Sequence, residues 1–143
     1  MAELGGDLLV RTLPAIADGS AVWIEQDESL VTHAAKIAKA ELRLDPATGT
    51  QDNERRVLAS SDAAPARCIV AGKQVRIMRA AVASPAPRLA AGVCSMSDKR
   101  LLLACADGVL EVTSIKPDGK REMDAASFCA GIREETAEWS KLA

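Results

Sequence analysis

The sequence predicts a mainly β domain, a small open antiparallel barrel with flanking helices, preceded by an N-terminal helix and an extended linker. From Ala66 onward, short runs of β-prone residues alternate with turn signals at close spacing, as in small barrels. Before Ala66, apolar residues recur at helical spacing instead. The composition, with 48% hydrophobic and 27% charged residues among 143, is that of a folded domain and not of a disordered tail.

The first predicted element is a helix over residues 3–17. It ends at Asp18-Gly19, because a glycine past a helix end accepts the left-handed conformation that closes the last turn. Pro14 removes one backbone donor, so we expect a kink in that turn. The helix carries a wide apolar stripe with little nearby sequence to cover it, which indicates that its packing partners lie elsewhere. The stripe consists of Leu4, Leu8, Leu9 and Leu13.

Residues 19–46 lack a regular period and are predicted to form an extended connector, in which residues 32–40 could make one or two helical turns. The connector ends at Pro46, since the residue before a proline is pushed out of the helical region. A second helix is predicted over residues 50–59, with Thr50 as its cap.

Five strands are predicted after Ala66. Asp107-Gly108 is the strongest turn signal among them, because this pair suits a two-residue hairpin loop. A last helix is expected to begin after Asp124, which can cap it. The strands are residues 67–71, 74–82, 92–97, 101–106 and 109–115, and the last helix is residues 125–135. The predicted division is a helix at 1–18, a linker at 19–46, a barrel domain at 47–136 and a tail at 137–143.

The net charge of −2 hides a division along the chain. Residues 46–123 carry eight acidic and twelve basic side chains, whereas the segments on either side are acidic. This central segment is where an anionic partner such as nucleic acid would be attracted, although bases on a sheet often form only its solvated face. Seven bases could contribute to one surface: Lys120, Arg121, Arg55, Arg56, Lys73, Arg76 and Arg79. Lys120 and Arg121 are favoured because a turn projects both outward, while Arg76 and Arg79 fall on different faces of an ideal strand.

Several classes of site are excluded by what the sequence lacks. With a single histidine, His33, the chain cannot build a histidine-rich metal centre, and its three aromatic residues offer few rings for stacking bases. We recognise no serine–histidine pair, phosphate-binding loop, membrane-spanning run or secretory signal. The four cysteines have no CxxC spacing, so we expect buried, reduced thiols in a cytosolic protein. They are Cys68, Cys94, Cys105 and Cys129.

Short motifs occur along nearly the whole chain, namely QDE at 26–28, KI at 36–37, ACADGVL at 104–110 and IKPDGKREMDAASF at 115–128. Together they resemble one family, the methionyl-tRNA formyltransferases. QDE at 26–28 and KI at 36–37 are similar to the linker of that family. Residues 104–110 resemble its ACGDGALRL strand pair, and residues 115–128 resemble its LQPxGKRxMxAxDFL signature. Residues 4–19 are similar to the last helix of its catalytic domain. The family pairs a Rossmann-like catalytic domain with a C-terminal open barrel that resembles an OB fold.

The resemblance implies a function for the chain. The family transfers a formyl group from formyl-tetrahydrofolate to methionine on initiator tRNA, and its catalytic Asn, His and Asp and its folate loop have no counterpart here. His33 aligns with a tyrosine of the linker and is not the catalytic histidine. The resemblance therefore implies a cytoplasmic, C-terminal tRNA-binding portion that binds no cofactor and is not catalytic alone. Its partners would be initiator tRNA and a separate or missing catalytic domain, with the seven bases contacting tRNA phosphates.

Two departures and two alternatives accompany this interpretation. Pro46 stands where the family has tryptophan, and residues 60–65 replace an NPWPG-like turn, so aromatic packing between linker and barrel is lost.

One alternative is a stand-alone barrel that binds a protein partner through its apolar first helix. The other is the tail of a related sugar or amino formyltransferase, since such enzymes share this architecture.

Overall fold

The computed structural model describes residues 2–143, which form two compact units, one ending at Ala35 and the other spanning Lys36–Ala143. The first unit contains helix α1 (Ala2–Ala17), confirming the predicted helix, and a 3₁₀ turn at Glu28–Leu30. Helix α1 continues through Pro14, and none of its described side chains is buried. Residues 32–40 do not form the helical turns that we considered. Within the described chain, we find no helix with the length and apolar content needed to span a membrane.

The second unit contains the predicted antiparallel barrel, and all five predicted strands are present. Its helices are α2 (Thr50–Leu58) and α3 (Ala125–Ala130). Its strands are β1 (Arg67–Val70), β2 (Lys73–Val82), β3 (Val93–Ser95), β4 (Leu101–Ala104), β5 (Val109–Pro117), β6 (Met123–Asp124) and β7 (Thr136–Ser140). The strand order is β2-β1-β7-β3-β4-β5, a β2–β5 pairing closes the ring, and β6 adds to β5.

The expectation of a tail at residues 137–143 is wrong for the segment that forms β7. This strand lies between β1 and β3 and pairs with both, so it is one of the six members of the closed ring. Trp139 is its buried residue, and the indole Nε1–H donates to the carbonyl oxygen of Ala104 at 2.8 Å. The last helix is correspondingly shorter than predicted and ends at Ala130, although Asp124 caps it as expected, accepting from the N–H of Ser127.

The predicted boundary between linker and barrel at residue 46 is too late. Leu42 and Leu44 are buried, and the N–H of Leu44 donates to the carbonyl oxygen of Arg67 at 2.9 Å. Asn53 fixes this segment from helix α2: its Oδ1 accepts from the N–H of Asp45 at 3.0 Å, and its Nδ2 donates to the Asp45 carbonyl at 2.9 Å. The end of the connector therefore belongs to the barrel unit.

The start of helix α2 is held by a residue distant in sequence. Gly49, and not Thr50 as predicted, occupies the capping position. The N–H and Oγ1–H of Thr50 donate instead to Oδ1 of Asp107, at 2.7 and 2.8 Å. These hydrogen bonds lower the pKa of the Asp107 carboxyl below its ordinary 3.8. A Cβ at Gly49 would lie 2.9 Å from Asp107 Oδ2, and one at Gly108 equally close to Thr50 Oγ1, so a larger residue at either position would displace the side chains that make these hydrogen bonds.

The four cysteines are buried and free, as predicted. Cys68 lies at the centre of the core and has no exposed surface, and burial raises the pKa of its thiol far above the ordinary value. Burial also raises the pKa of Cys94, Cys105 and Cys129. These thiols pack as small apolar groups and are poor nucleophiles.

Candidate nucleic-acid interface

Lys120 and Arg121 lie in the loop that follows β5, and both are exposed, in agreement with their predicted outward projection. The N–H of Lys120 donates to the carbonyl of Pro117 at 3.1 Å, and Gly119 takes the positive φ of +74° that this turn requires. Lys120 lines a cleft of about 410 Å³ together with Lys73 of β2. The Lys73 ammonium lies 5.8 Å from the centroid of the Phe128 ring, within reach of a cation–π interaction.

The two arginines of helix α2 do not join this surface. Arg56 is half-buried, and its guanidinium donates to the carbonyl oxygen of Arg43 at 2.9 Å, so its charge serves to hold the connector against the barrel. Arg55 is exposed and pairs with Asp52 at 3.1 Å on the same helix. Neither residue lines the cleft of Lys73 and Lys120, nor a second cleft that is lined by Arg67 and Arg76.

Arg76 and Arg79 of β2 both face away from the core, contrary to the expectation that they occupy different faces. Register shifts on both sides of Arg79 in the pairing of β2 with β5 mark a bulge at this point. Because of the bulge, Ala80 packs against the core and Arg79 is exposed, so that Arg79 faces outward like Arg76. Arg76 is confined, with 19% of its side chain exposed, whereas Arg79 points into solvent.

Strand register places Arg76 in a row with two bases that sequence reasoning missed. Arg67 of β1 is its partner on one side and Lys116 of β5 is its partner on the other. Residues directly paired across antiparallel strands share a face. These three residues, hereafter the cation ladder, cross three adjacent strands and line a second cleft of about 200 Å³.

Two carboxylates accompany the cation ladder. Asp62, from the segment after helix α2, accepts from Nη1 of Arg76 at 2.7 Å, and Asp118 accepts from Nη2 of Arg67. The hydrogen bond from Arg76, with the positive charges of Arg76 and Lys116, lowers the pKa of Asp62. The second cleft shares Pro117 and Asp118 with the cleft of Lys73 and Lys120, so the two are adjacent.

Part of the cation ladder could have been found from the sequence. Ala71 and Gly72 form a two-residue turn with positive φ at both positions, a geometry that fixes the register of β1 and β2 and sets Arg67 opposite Arg76. The place of Lys116 depends on the long-range pairing of β5 across a bulge, for which the local sequence carries no signal.

The chemistry available here is the binding of anions. Guanidinium groups and ammonium groups recognise phosphate oxygens by charge-assisted hydrogen bonds. Among residues 2–143, no three His, Cys, Asp or Glu side chains group to hold a metal ion. His33 is exposed in the unit that precedes the barrel. Among the described residues, neither cleft is lined by a histidine or an asparagine, and Asp118 is the carboxylate that lines both.

Comparison with known proteins identifies the class to which the barrel belongs. Residues 36–133 match the family described as formyl transferase, C-terminal domain, and the chain belongs to this family. The match begins at the first residue of the second unit. Over 128 residues the chain is 38% identical to a methionyl-tRNA formyltransferase of Methylococcus capsulatus, an alignment that covers 90% of this chain and 42% of that relative. The predicted resemblance to the C-terminal portion of these enzymes is confirmed, and the chain spans less than half the length of this relative.

Solved structures agree with the fold. HypX from Aquifex aeolicus in complex with tetrahydrofolic acid matches with a TM-score of 0.65 and 18% identity, over 85% of this chain and 22% of that chain. A multiply substituted HypX variant matches with a TM-score of 0.67 and 20% identity, over 90% of this chain and 24% of that chain. At these identities the likeness establishes the barrel architecture alone.

Proposed function

We propose that this chain is the tRNA-binding C-terminal part of a methionyl-tRNA formyltransferase, acting in the cytoplasm during translation initiation and not catalytic alone. The observation that carries the proposal is the convergence of bases from β1, β2, β5 and the following loop on two adjacent clefts. Family membership and the similarity to the relative from Methylococcus capsulatus support tRNA as the anionic partner. The barrel would position the tRNA by its phosphates, while the formyl-tetrahydrofolate chemistry belongs to a catalytic domain.

The two predicted bases of the loop provide the first test. Binding of labelled initiator tRNA is measured by filter retention at low ionic strength. The Lys120→Ala/Arg121→Ala variant is expected to bind several-fold more weakly, because phosphate contacts dominate the affinity of such interfaces. Arg88→Ala/Arg133→Ala removes two exposed bases that line neither cleft, and it is the matched control. Absence of tRNA binding by the unmodified chain at low salt would overturn the proposal, as would formyl transfer by the purified chain alone.

A second candidate function follows from helix α1. Its large apolar side chains are exposed, with Leu4 at 62% and Leu9 at 57%, and a single helix cannot cover such a stripe by itself. A protein partner that packs on this stripe is the alternative to RNA binding. Leu9→Glu would abolish association with such a partner and leave tRNA binding by the barrel unchanged.

A further inference from the structure

The cation ladder combines two features that oppose folding. Like charges directly opposite each other on neighbouring strands repel, and here Arg76 faces Arg67 on one side and Lys116 on the other. In addition, the Nε–H groups of Arg67 and Arg76 are buried and have no hydrogen-bond partner among the described residues. Buried donors are nearly always satisfied in folded proteins, because an unpaired buried donor has lost its hydrogen bonds to water without gaining a partner.

The available carboxylates compensate for this arrangement incompletely. Asp62 is 98% exposed and Asp118 is 53% exposed, whereas their partners Arg76 and Arg67 are 19% and 30% exposed. Each carboxylate therefore reaches a confined guanidinium from the solvent side. Ion pairs with one partner in water contribute little to stability, so a stronger anionic acceptor can displace them.

A phosphate group fits the composition and the size of this cleft. Its oxygens can accept from two guanidinium groups and one ammonium at once, whereas Asp62 and Asp118 each pair with a single guanidinium. The cleft, of about 200 Å³, holds several waters at about 30 Å³ each and is therefore large enough for a phosphate. No aromatic side chain lines it.

We propose that Arg67, Arg76 and Lys116 form a binding site for one backbone phosphate of RNA, and that Asp62 and Asp118 are internal competitors for it. The inference rests on the proposed function and adds to it the place of contact and a restraint on affinity. When the phosphate binds, the guanidinium groups exchange their carboxylate partners for phosphate oxygens. Removing a competing carboxylate should therefore increase RNA affinity more than removing a carboxylate elsewhere on the barrel unit does.

Paired aspartate variants test the competition. Asp62→Asn and Asp52→Asn each remove one exposed carboxylate that pairs with an arginine, the first at the cation ladder and the second on helix α2. With labelled initiator tRNA in a fluorescence anisotropy titration, we expect Asp62→Asn to bind about 3- to 10-fold more tightly and Asp52→Asn less than 2-fold more tightly. Equal effects of the two variants would overturn the competition, because they would reflect net charge alone.

Lys116→Ala tests the site itself, since this residue is exposed and its replacement leaves the core intact. We expect a loss of about 5- to 10-fold in tRNA affinity. Unchanged affinity, with Lys120→Ala/Arg121→Ala still impaired, would overturn the site while the proposed function stands.

A titration with inorganic phosphate is followed by backbone amide NMR. It distinguishes a wrong assignment of RNA as the ligand from a wrong assignment of these three residues as the site. Shifts confined to Arg67, Arg76 and Lys116, in a chain that does not bind tRNA, would overturn RNA as the occupant and with it the proposed function. A phosphopeptide or a free phosphate would then be the ligand. Shifts spread over all exposed bases would overturn the site.

Discussion

Replacement of Trp139 by phenylalanine tests whether β7 closes the barrel. Trp139 is 1% exposed, and its hydrogen bond to the Ala104 carbonyl spans 2.8 Å. That carbonyl also accepts from the N–H of Gly92, so losing the indole donor costs about 1 kcal/mol and not the full penalty of an unpaired group. The smaller ring leaves a void worth roughly 1–2 kcal/mol more. The expected loss of unfolding free energy is therefore about 2–3 kcal/mol.

This loss is large relative to the stability of a domain of this size. Such domains have unfolding free energies of about 5–15 kcal/mol, so the Trp139→Phe variant should fold but melt roughly 10 °C lower, as measured by circular dichroism. Trp139→Ala, at about 4–6 kcal/mol, should melt at a lower temperature still. Trp23→Phe is the matched control, because Trp23 is 82% exposed and its loss should change stability by about 0.5 kcal/mol or less.

The same control supplies a spectroscopic reading. The chain has two tryptophans, so in Trp23→Phe the fluorescence comes from Trp139 alone. Its emission should be that of a buried indole and shift to longer wavelength in the thermal transition of the barrel. Equal melting temperatures for the two phenylalanine variants, or solvent-exposed emission in the native state, would refute the assignment of β7 to the closed ring.

Three further predictions concern stability and reactivity. Asn53→Ala should lower the urea midpoint by the equivalent of about 1–3 kcal/mol, because the fully buried amide bonds both the N–H and the carbonyl of Asp45; an unchanged midpoint would contradict this role. The folded-state pKa of Asp107 lies below its unfolded value of 3.8, so its contribution to stability is present above that value and is lost as pH falls through the lowered pKa. The wild-type urea midpoint should therefore fall more between about pH 6 and about pH 3 than that of Asp107→Asn, and equal falls would contradict the linkage. Since burial raises the pKa of Cys68, its alkylation by iodoacetamide should stay slow up to about pH 9 and become fast in urea; rapid native labelling would show that the thiol is accessible.

The sequence contained enough local information for the hairpins and for much of the core. Alternating apolar residues and the turn at Ala71-Gly72 locate β1 and β2, and small apolar neighbours correctly indicate that Cys105 is buried. Asp124 was recognisable as a helix cap because the requirement for an oxygen acceptor is local. These features depend on a few consecutive residues.

Features that depend on distant parts of the chain were missed. Strand β7 has one large inward residue, Trp139, and is otherwise polar or small, so no alternation marks it. The carboxylate that holds Thr50 is 57 residues away, and the bulge that turns Arg79 outward arises only in the pairing with β5. For the same reason the sequence carried no sign that Nη1 of Arg56, one of the predicted phosphate ligands, donates to the carbonyl oxygen of Arg43.

The most direct measurement of the central claim is the salt dependence of initiator tRNA affinity, compared between the wild-type chain and Lys116→Ala/Lys120→Ala. This pair removes one lysine from each of the two adjacent clefts. If both contact phosphates, the slope of log K against log salt should become shallower by about 2, or roughly 1 for each lost contact. An unchanged slope in the folded double variant would mean that RNA does not bind at these strands.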